Sequence, residues 1–437
     1  MSSKQSHVLI WMLPLIVLAV LIALEVAGVG NIALSVREWV RGDLGRFIPR
    51  PSFADRVELV YTAGVGVGIV ILLAQRELFK AGIVAVCAIL AAILISWRSE
   101  VDGRIFLDAA YPSLVIASVF TLGRVMHALH LSARRKTIRR SLAQRLTPAA
   151  AAAVARRPET LKITGQTRDI TYLVCRLRGF SSLADAKDLD AEGAAAASRK
   201  VMTPLRQAVL EKGGMIDHVA PGRLTAFFNA PLENSDHVAN ACECALGMIE
   251  QLENINGALE KAHHAGGDSI APVQMEIGIE RGPCLVGNFG TEDWPEYSAS
   301  GRIVEVAEEI GSLCAKYGPE IIVGDEVRAA AEERFAFLEV DLLAAGPNGA
   351  AVPIFALLGN ALVRASPKFR ALQTFHEHIF RTYRARQWKK TCALIEQCRA
   401  LSSPSPIAYD LYLDRIDYFE SHPPAEDWNG VFIPEQT

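Results

Sequence analysis

Three sets of residues in this chain have types and spacings that could do chemistry. The first is eight cysteines, at 87, 175, 242, 244, 284, 314, 392 and 398. None forms a Cys-x-x-Cys pair, and Cys242 and Cys244 have no matching His or Cys group. That spacing argues against a zinc site or a disulfide framework, leaving reduced cytoplasmic thiols. The second is Gly64-x-Gly66-x-Gly68, which has the look of a phosphate-cradling loop. It lies inside an apolar run with no strand before it, so close helix packing by Gly64 and Gly68, spaced i and i+4, is the better reading. The third is ionisable groups: Glu25 and Arg124 beside apolar runs, and Asp169, Asp185 and Asp217 further on. Glu25 and Arg124 each lie close enough to the end of an apolar run to reach a membrane interface.

The elements that would position such groups fall into two parts. Of the 437 residues, 51% are hydrophobic, mean hydropathy is +0.21, and the apolar excess sits in the first 130. Four apolar stretches, at 8–30, 57–74, 81–97 and 109–130, approach the roughly 17–25 residues that a spanning helix needs. The first is longer than the apolar core of a signal peptide and reads as an anchor. Arg134, Arg135, Lys136, Arg139 and Arg140 follow the fourth stretch and place that end, and hence the N-terminus, in the cytoplasm. Arginines 37, 41, 46, 50 and 56 in the first outer loop run against the rule locally. Net charge is −3, which gives no support to a nucleic-acid partner.

Residues 131–164 turn basic and alanine-rich. Leu131, Ile138, Leu142 and Leu146 form a helical stripe, and Thr147-Pro148 marks a new helix start. This segment reads as a coupling helix. Strands and helices then alternate. Strands are predicted at 170–175, 215–219, 224–228, 273–280 and 320–323, and helices at 194–211, 236–260 and 305–317. The pattern is that of helices on a mixed sheet.

Landmarks along this part are Arg178-Gly179-Phe180, Gly213-Gly214-Met215-Ile216-Asp217, Asn229-Ala230-Pro231, Gly278-Ile279-Glu280-Arg281-Gly282-Pro283 and Gly287-Asn288-Phe289-Gly290. With them, residues 165–360 resemble the catalytic domain of class III adenylate/guanylate cyclases. The resemblance implies an α+β, ferredoxin-like fold after a four-helix transmembrane region, and a head-to-tail dimer with active sites at its interface. Phe47-Ile48-Pro49-Arg50-Pro51 is similar to the end of a CHASE-type extracellular sensor, whose body is missing from the short loop 31–56. Residues 365–437 resemble the helical tail of the same proteins and are expected to form a helical hairpin.

In that family two Asp carboxylates hold two divalent ions, which activate the ribose 3′ oxygen and neutralise the phosphates. The resemblance places the first at Arg176 and the second at Gly222. It places the base-contacting Lys at His218 and a second base-selecting residue at Ser298. The ribose-orienting Asn falls at Glu305 and the transition-state Arg at Glu309. A cation at a metal position repels metal, and a carboxylate at the phosphate-clamping position reverses its sign. Arg223 and Arg302 are new cations nearby, expected to pair with Glu305 or Glu309 across the former cleft, the alternative being an anion or regulatory-ligand pocket. Asp169, Asp185 and Asp217 are the candidates for a relocated metal site, and none is placed by the motif to face the phosphates.

The reading is therefore a multi-pass inner-membrane protein with a cytoplasmic cyclase-like domain that has lost turnover. It would act as a regulatory or dimerisation subunit in cyclic-nucleotide signalling. Implied partners are a second copy or another class III cyclase, and the lipid bilayer, with no nucleic acid. No cofactor is expected. Mg²⁺ or Mn²⁺ enters only in the alternative of an active adenylate cyclase with a non-standard site. A further alternative is a membrane scaffold for an unrelated partner.

Overall fold

The computed structural model describes residues 3–26, 52–75, 77–101, 109–156, 165–179, 191–263, 272–290, 296–344, 351–401, 407–426 and 428–432. The sensor-like motif at 47–51, Phe180, Asp185 and Asp427 lie outside them. The chain divides into two units, Met1–Thr137 and Ile138–Thr437.

The first unit holds α1 (Ser3–Val26), α2 (Ser52–Ala74), α3 (Leu78–Val101) and most of α4 (Ala110–Leu142). Segments Arg56–Ala74, Leu78–Ser99 and Ala110–Leu129 are long and apolar enough to cross a membrane. In α1 the apolar stretch is shorter, Met12–Leu24, so three helices, not four, meet that measure among the described residues. The glycine triplet packs differently from expectation. A Cβ on Gly66 would lie 2.7 Å from Leu18 of α1, whereas Gly64 and Gly68 have nothing within 4 Å. At 100° per residue, a helix that turns Gly66 toward a neighbour turns Gly64 and Gly68 away from it. Tyr111 donates to the Leu21 carbonyl at 2.6 Å, tying α4 to α1. Arg124 is exposed. Glu58, which the sequence reading passed over, is buried.

The second unit is built on an eight-stranded mixed sheet. The order is β2-β3-β1-β4-β6-β8-β7, with β5 paired to β4. The strands are β1 (Gln166–Arg178), β2 (Met215–Ala220), β3 (Arg223–Phe228), β4 (Gln274–Asn288), β5 (Tyr297–Ser300), β6 (Ile321–Gly324), β7 (Phe335–Leu343) and β8 (Val352–Asn360). Only the β4–β6 pairing is parallel among those described. Strand β1 lies between β3 and β4 and is covered on both faces. Its period-2 alternation sends Leu173, Cys175 and Leu177 to one core and Ile170, Tyr172 and Val174 to another. Helices α6 (Ala191–Glu211), α7 (His237–His263) and α10 (Asp325–Ala331) cover the first face. Helices α5 (Pro148–Arg156) and α8 (Arg302–Ser312) cover the second near β1, with Val154, Ile303 and Ala307 in its core. The Thr147 hydroxyl accepts from Ala150 N at 3.2 Å and caps α5, the start signal read in the sequence. The single helix expected over 305–317 is two: α8, then α9 (Cys314–Tyr317).

Helix α8 lies on β4 at backbone distance. A Cβ on Gly278 would meet the Ala307 carbonyl and sit 2.7 Å from Gly311 N. No side chain can yield there. Gly278→Ala is therefore expected to cost about 3 kcal/mol, the upper part of the overpacking range. A denaturation midpoint of the full chain checks this, and an unchanged midpoint contradicts it.

The tail is larger than a hairpin. After the short α11 (Ala361–Ala365), it comprises α12 (Pro367–Arg384), α13 (Trp388–Leu401) and α14 (Asp410–Ser421). Helices α12, α13 and α14 pack on Ile322, Leu338, Val340, Ile354 and Ala356 of the sheet. A register shift in β7 between Glu339 and Asp341 frees backbone carbonyls at the sheet edge. The tail satisfies them: the His376 imidazole donates from Nε2 to the Glu339 carbonyl, and the Tyr412 hydroxyl donates to the Val340 carbonyl. Burial pushes the His376 pKa down to about 4. The ring is thus neutral near pH 7, and its Nδ1 accepts from the Tyr409 hydroxyl at 2.8 Å.

Candidate functional site

The β2–β3 hairpin turns on Pro221-Gly222, with Gly222 at φ +71. Proline presets the first turn position and glycine takes the left-handed one. The Gly222 carbonyl accepts from Leu177 N at 2.8 Å, which folds the turn against β1. Arg176 stands directly opposite Arg223 in the β1–β3 register. The structure thus brings Arg176 and Gly222, the two expected carboxylate positions, to one place.

Two guanidinium groups directly opposite on neighbouring strands repel. Their counter-ion is Glu308 of α8. Its Oε2 lies 3.7 Å from Arg176 Nη2, and its Oε1 accepts from Arg223 Nη2. This corrects the expected pairing of Arg223 with Glu305 or Glu309. Helical spacing gives the reason. Ile303, Ala307 and Ile310 form the buried face of α8. Glu308 sits one residue from Ala307 on the flank of that face, while Glu305 and Glu309 are exposed. Sequence reading missed Glu308. Its signal was there, in the period of α8 rather than in the motif.

The other expected positions gather around Asp217. A register shift between Ile216 and His218 leaves Asp217 unpaired in β2, and its side chain is buried. It accepts from the Tyr172 hydroxyl at 2.7 Å and from Ser298 Oγ at 2.6 Å. His218 Nδ1 lies 3.3 Å from Asp217 Oδ2, and its Nε2 lies 3.5 Å from Glu296. Glu296 in turn accepts from Arg145 at 3.1 Å, and Arg145 also donates to the Tyr297 carbonyl at 3.0 Å. The Arg145 carbonyl accepts from Ile216 N at 2.9 Å. The segment between α4 and α5 is therefore fastened to both β2 and β5, beside His218 and Ser298. Burial and the neighbouring Asp217 carboxylate hold the Tyr172 hydroxyl well above its ordinary pKa. Sequence reading missed Tyr172, Glu296 and Arg145, whose partners are 45, 78 and 151 residues away.

Both described candidates for a relocated metal ligand have partners, Asp217 on both carboxylate oxygens and Asp169, 45% exposed, on Oδ2. Asp217 is held as above. Asp169 accepts two hydrogen bonds from Arg281, at 3.1 and 2.7 Å. Glu280, next to Arg281, is buried. Burial, with Glu326 and Asp325 nearby, pushes its pKa up to about 7 against the Arg281 backbone N–H. The pair of divalent ions implied by the resemblance does not fit here: Arg176 and Arg223 supply positive charge where carboxylate ligands are needed.

Residues 224–343 match the family described as the adenylate and guanylate cyclase catalytic domain. The match begins at β3, so Ser298, Glu305 and Glu309 lie inside it, and Arg176, His218 and Gly222 lie before it. Two curated relatives are similar. Adenylate cyclase 1 of Rhizobium meliloti (strain 1021) is 29% identical over 140 residues, 32% of this chain and 20% of the relative. Adenylate cyclase of Anabaena cylindrica is 27% identical over 161 residues, 37% of this chain and 30% of the relative. The similarity thus spans less than a third of either relative. Among solved structures, the guanylyl cyclase Cya2 is 26% identical, with 45% of this chain and 94% of that chain covered and a TM-score of 0.38.

Proposed function

We propose that this member of the adenylate and guanylate cyclase family is a membrane-anchored protein without turnover. It serves as a regulatory or dimerisation subunit in cyclic-nucleotide signalling, with its cyclase-like domain in the cytoplasm. One observation carries the reading: Arg176 and Arg223 share Glu308 at the place where the resemblance puts two metal-holding carboxylates. A divalent ion entering there would meet two guanidinium groups and a carboxylate already engaged.

The second half of the expected site supports the same reading. Ser298 is spent on Asp217. His218 lies between Asp217 and Glu296. Glu309 brings negative charge where a transition state that gathers negative charge needs a cation, and Glu305 puts a carboxylate where the resemblance expects a neutral Asn. The alternative of an active cyclase needs carboxylates free to bind metal; Asp217 is buried and engaged on both oxygens, and Asp169 is paired with Arg281 through Oδ2.

The test has two arms. The purified full chain with ATP or GTP and Mg²⁺ or Mn²⁺ is expected to give cyclic nucleotide at background. Co-expressed with an intact class III cyclase, it is expected to co-purify and lower that enzyme's output as its proportion rises. Mixed dimers would lack one half of each shared site. Turnover that disappears on Asp217→Asn or Asp169→Asn would overturn the loss of activity. Co-purification with unchanged or raised output would overturn this inhibitory form of regulation.

A further inference from the structure

The charges around Arg176 do not balance. Two guanidinium groups face each other across β1 and β3, and one carboxylate serves both. Arg223 holds one oxygen of Glu308. Arg176 reaches the other only at 3.7 Å, beyond the roughly 2.7–2.9 Å of a charge-assisted hydrogen bond. Glu276, opposite Arg176 on the β4 side, lies 3.6 Å from Arg178. The side chains of Arg176, Arg223 and Glu308 are 36%, 44% and 33% exposed, so solutes can reach all three.

We propose that Arg176 and Arg223 form a metal-free binding site for a phosphate oxyanion, and that Glu308 is a tethered competitor for it. The proposal rests on the reading that no divalent pair works at this place. The chemistry follows from the geometry. Guanidinium groups present paired N–H donors that match phosphate oxygens, and they need no metal to do so. A di- or triphosphate brings more negative charge than one carboxylate and can bridge both arginines. Glu308 is anchored on α8 a few ångströms away, so its effective concentration is high and it weakens any free anion in competition. Removing its charge while keeping its shape should open the site.

The experiment uses the full chain in detergent, with EDTA present and pyrophosphate, orthophosphate or ATP as probe. Glu308→Gln is expected to bind pyrophosphate about two- to fivefold more tightly than the parent, the gain from removing one partly exposed competing ion pair. Adding Arg176→Ala or Arg223→Ala to Glu308→Gln is expected to abolish that binding. In the unaltered chain, pyrophosphate is expected to protect Arg176 and Arg223 from a guanidine-modifying dicarbonyl, read by mass spectrometry. This arm needs no variant to fold. ATP binding tighter than pyrophosphate assigns the oxyanion to a nucleotide, and equal binding assigns it to the polyphosphate itself. Absence of protection, or Glu308→Gln binding that survives loss of both arginines or requires Mg²⁺, overturns the proposal. Cyclic-nucleotide output, measured in parallel on the same preparations with ATP or GTP and Mn²⁺ in place of EDTA, reports separately on the loss of turnover.

Discussion

Arg415→Ala is expected to destabilise the cyclase-like unit by about 3–5 kcal/mol, the usual cost of stranding one member of a buried ion pair. Arg415 on α14 and Asp341 on β7 are both buried, with Nη1 of one 2.8 Å from Oδ2 of the other. The Tyr317 hydroxyl donates to the same carboxylate and accepts from Arg415 Nη2 at 3.1 Å. Leu342 N donates to its other oxygen at 2.8 Å. Without Arg415 the carboxylate stays in the core with neutral donors only. The tail should loosen at β7, where His376 and Tyr412 also depend on it. The denaturation midpoint should fall, and protease cuts in α12–α14 should quicken. Replacing both partners, Arg415→Met with Asp341→Leu, should recover part of the loss, because no charge is then left buried although the Tyr317 hydroxyl and Leu342 N lose their acceptor. A single variant within about 1 kcal/mol of the parent would mean that water reaches Asp341.

This anchor shows why part of the molecule was legible in the sequence and part was not. The strands and helices around the sheet were legible because burial imposes a period. Strand β1, covered on both faces, reads as the unbroken run from Ile170 to Cys175. The hairpin reads from Pro221-Gly222 because few other residues accept its backbone angles. Length was less legible. Strand β4 runs on to Asn288, beyond the predicted end at Glu280, because Gly282 and Pro283 read as a break while the ladder to β1 continues through Asp169↔Pro283. Ion pairs were least legible. Asp341 and Arg415 are 74 positions apart, and Glu308 meets Arg223 across 85. No local pattern encodes such contacts. The position-by-position resemblance singled out Arg176, Gly222, His218 and Ser298. The structure gathers the first two into one cluster and the last two around Asp217. It could not foresee Glu308, which stands at no motif position.

On the proposal that this chain lacks turnover, gaining it should need several changes at once, and the geometry says why one is not enough. Arg176→Asp alone is expected to leave cyclic-nucleotide output at background. The new carboxylate would face Arg223 across the β1–β3 register and pair with it, in competition with Glu308. It would supply one ligand where two ions need two carboxylates. Gly222→Asp would add the second. Gly222 has φ +71, a left-handed angle that Asp tolerates better than most side chains, at a cost of about 1–2 kcal/mol. The two together are expected to bind Mn²⁺ without turning over, because the transition-state cation is still missing. Such cations are worth about 10³–10⁵ in rate. Glu309→Arg would supply one from an exposed position on α8, where a long side chain costs the core nothing. Measurable output is therefore expected first in the triple variant. Even there Arg223 remains beside the metal position and draws on the same carboxylates, so Arg223→Ala on the triple background should raise Mn²⁺ affinity and output together. Cyclic nucleotide from Arg176→Asp alone would overturn the need for both a second carboxylate and a transition-state cation.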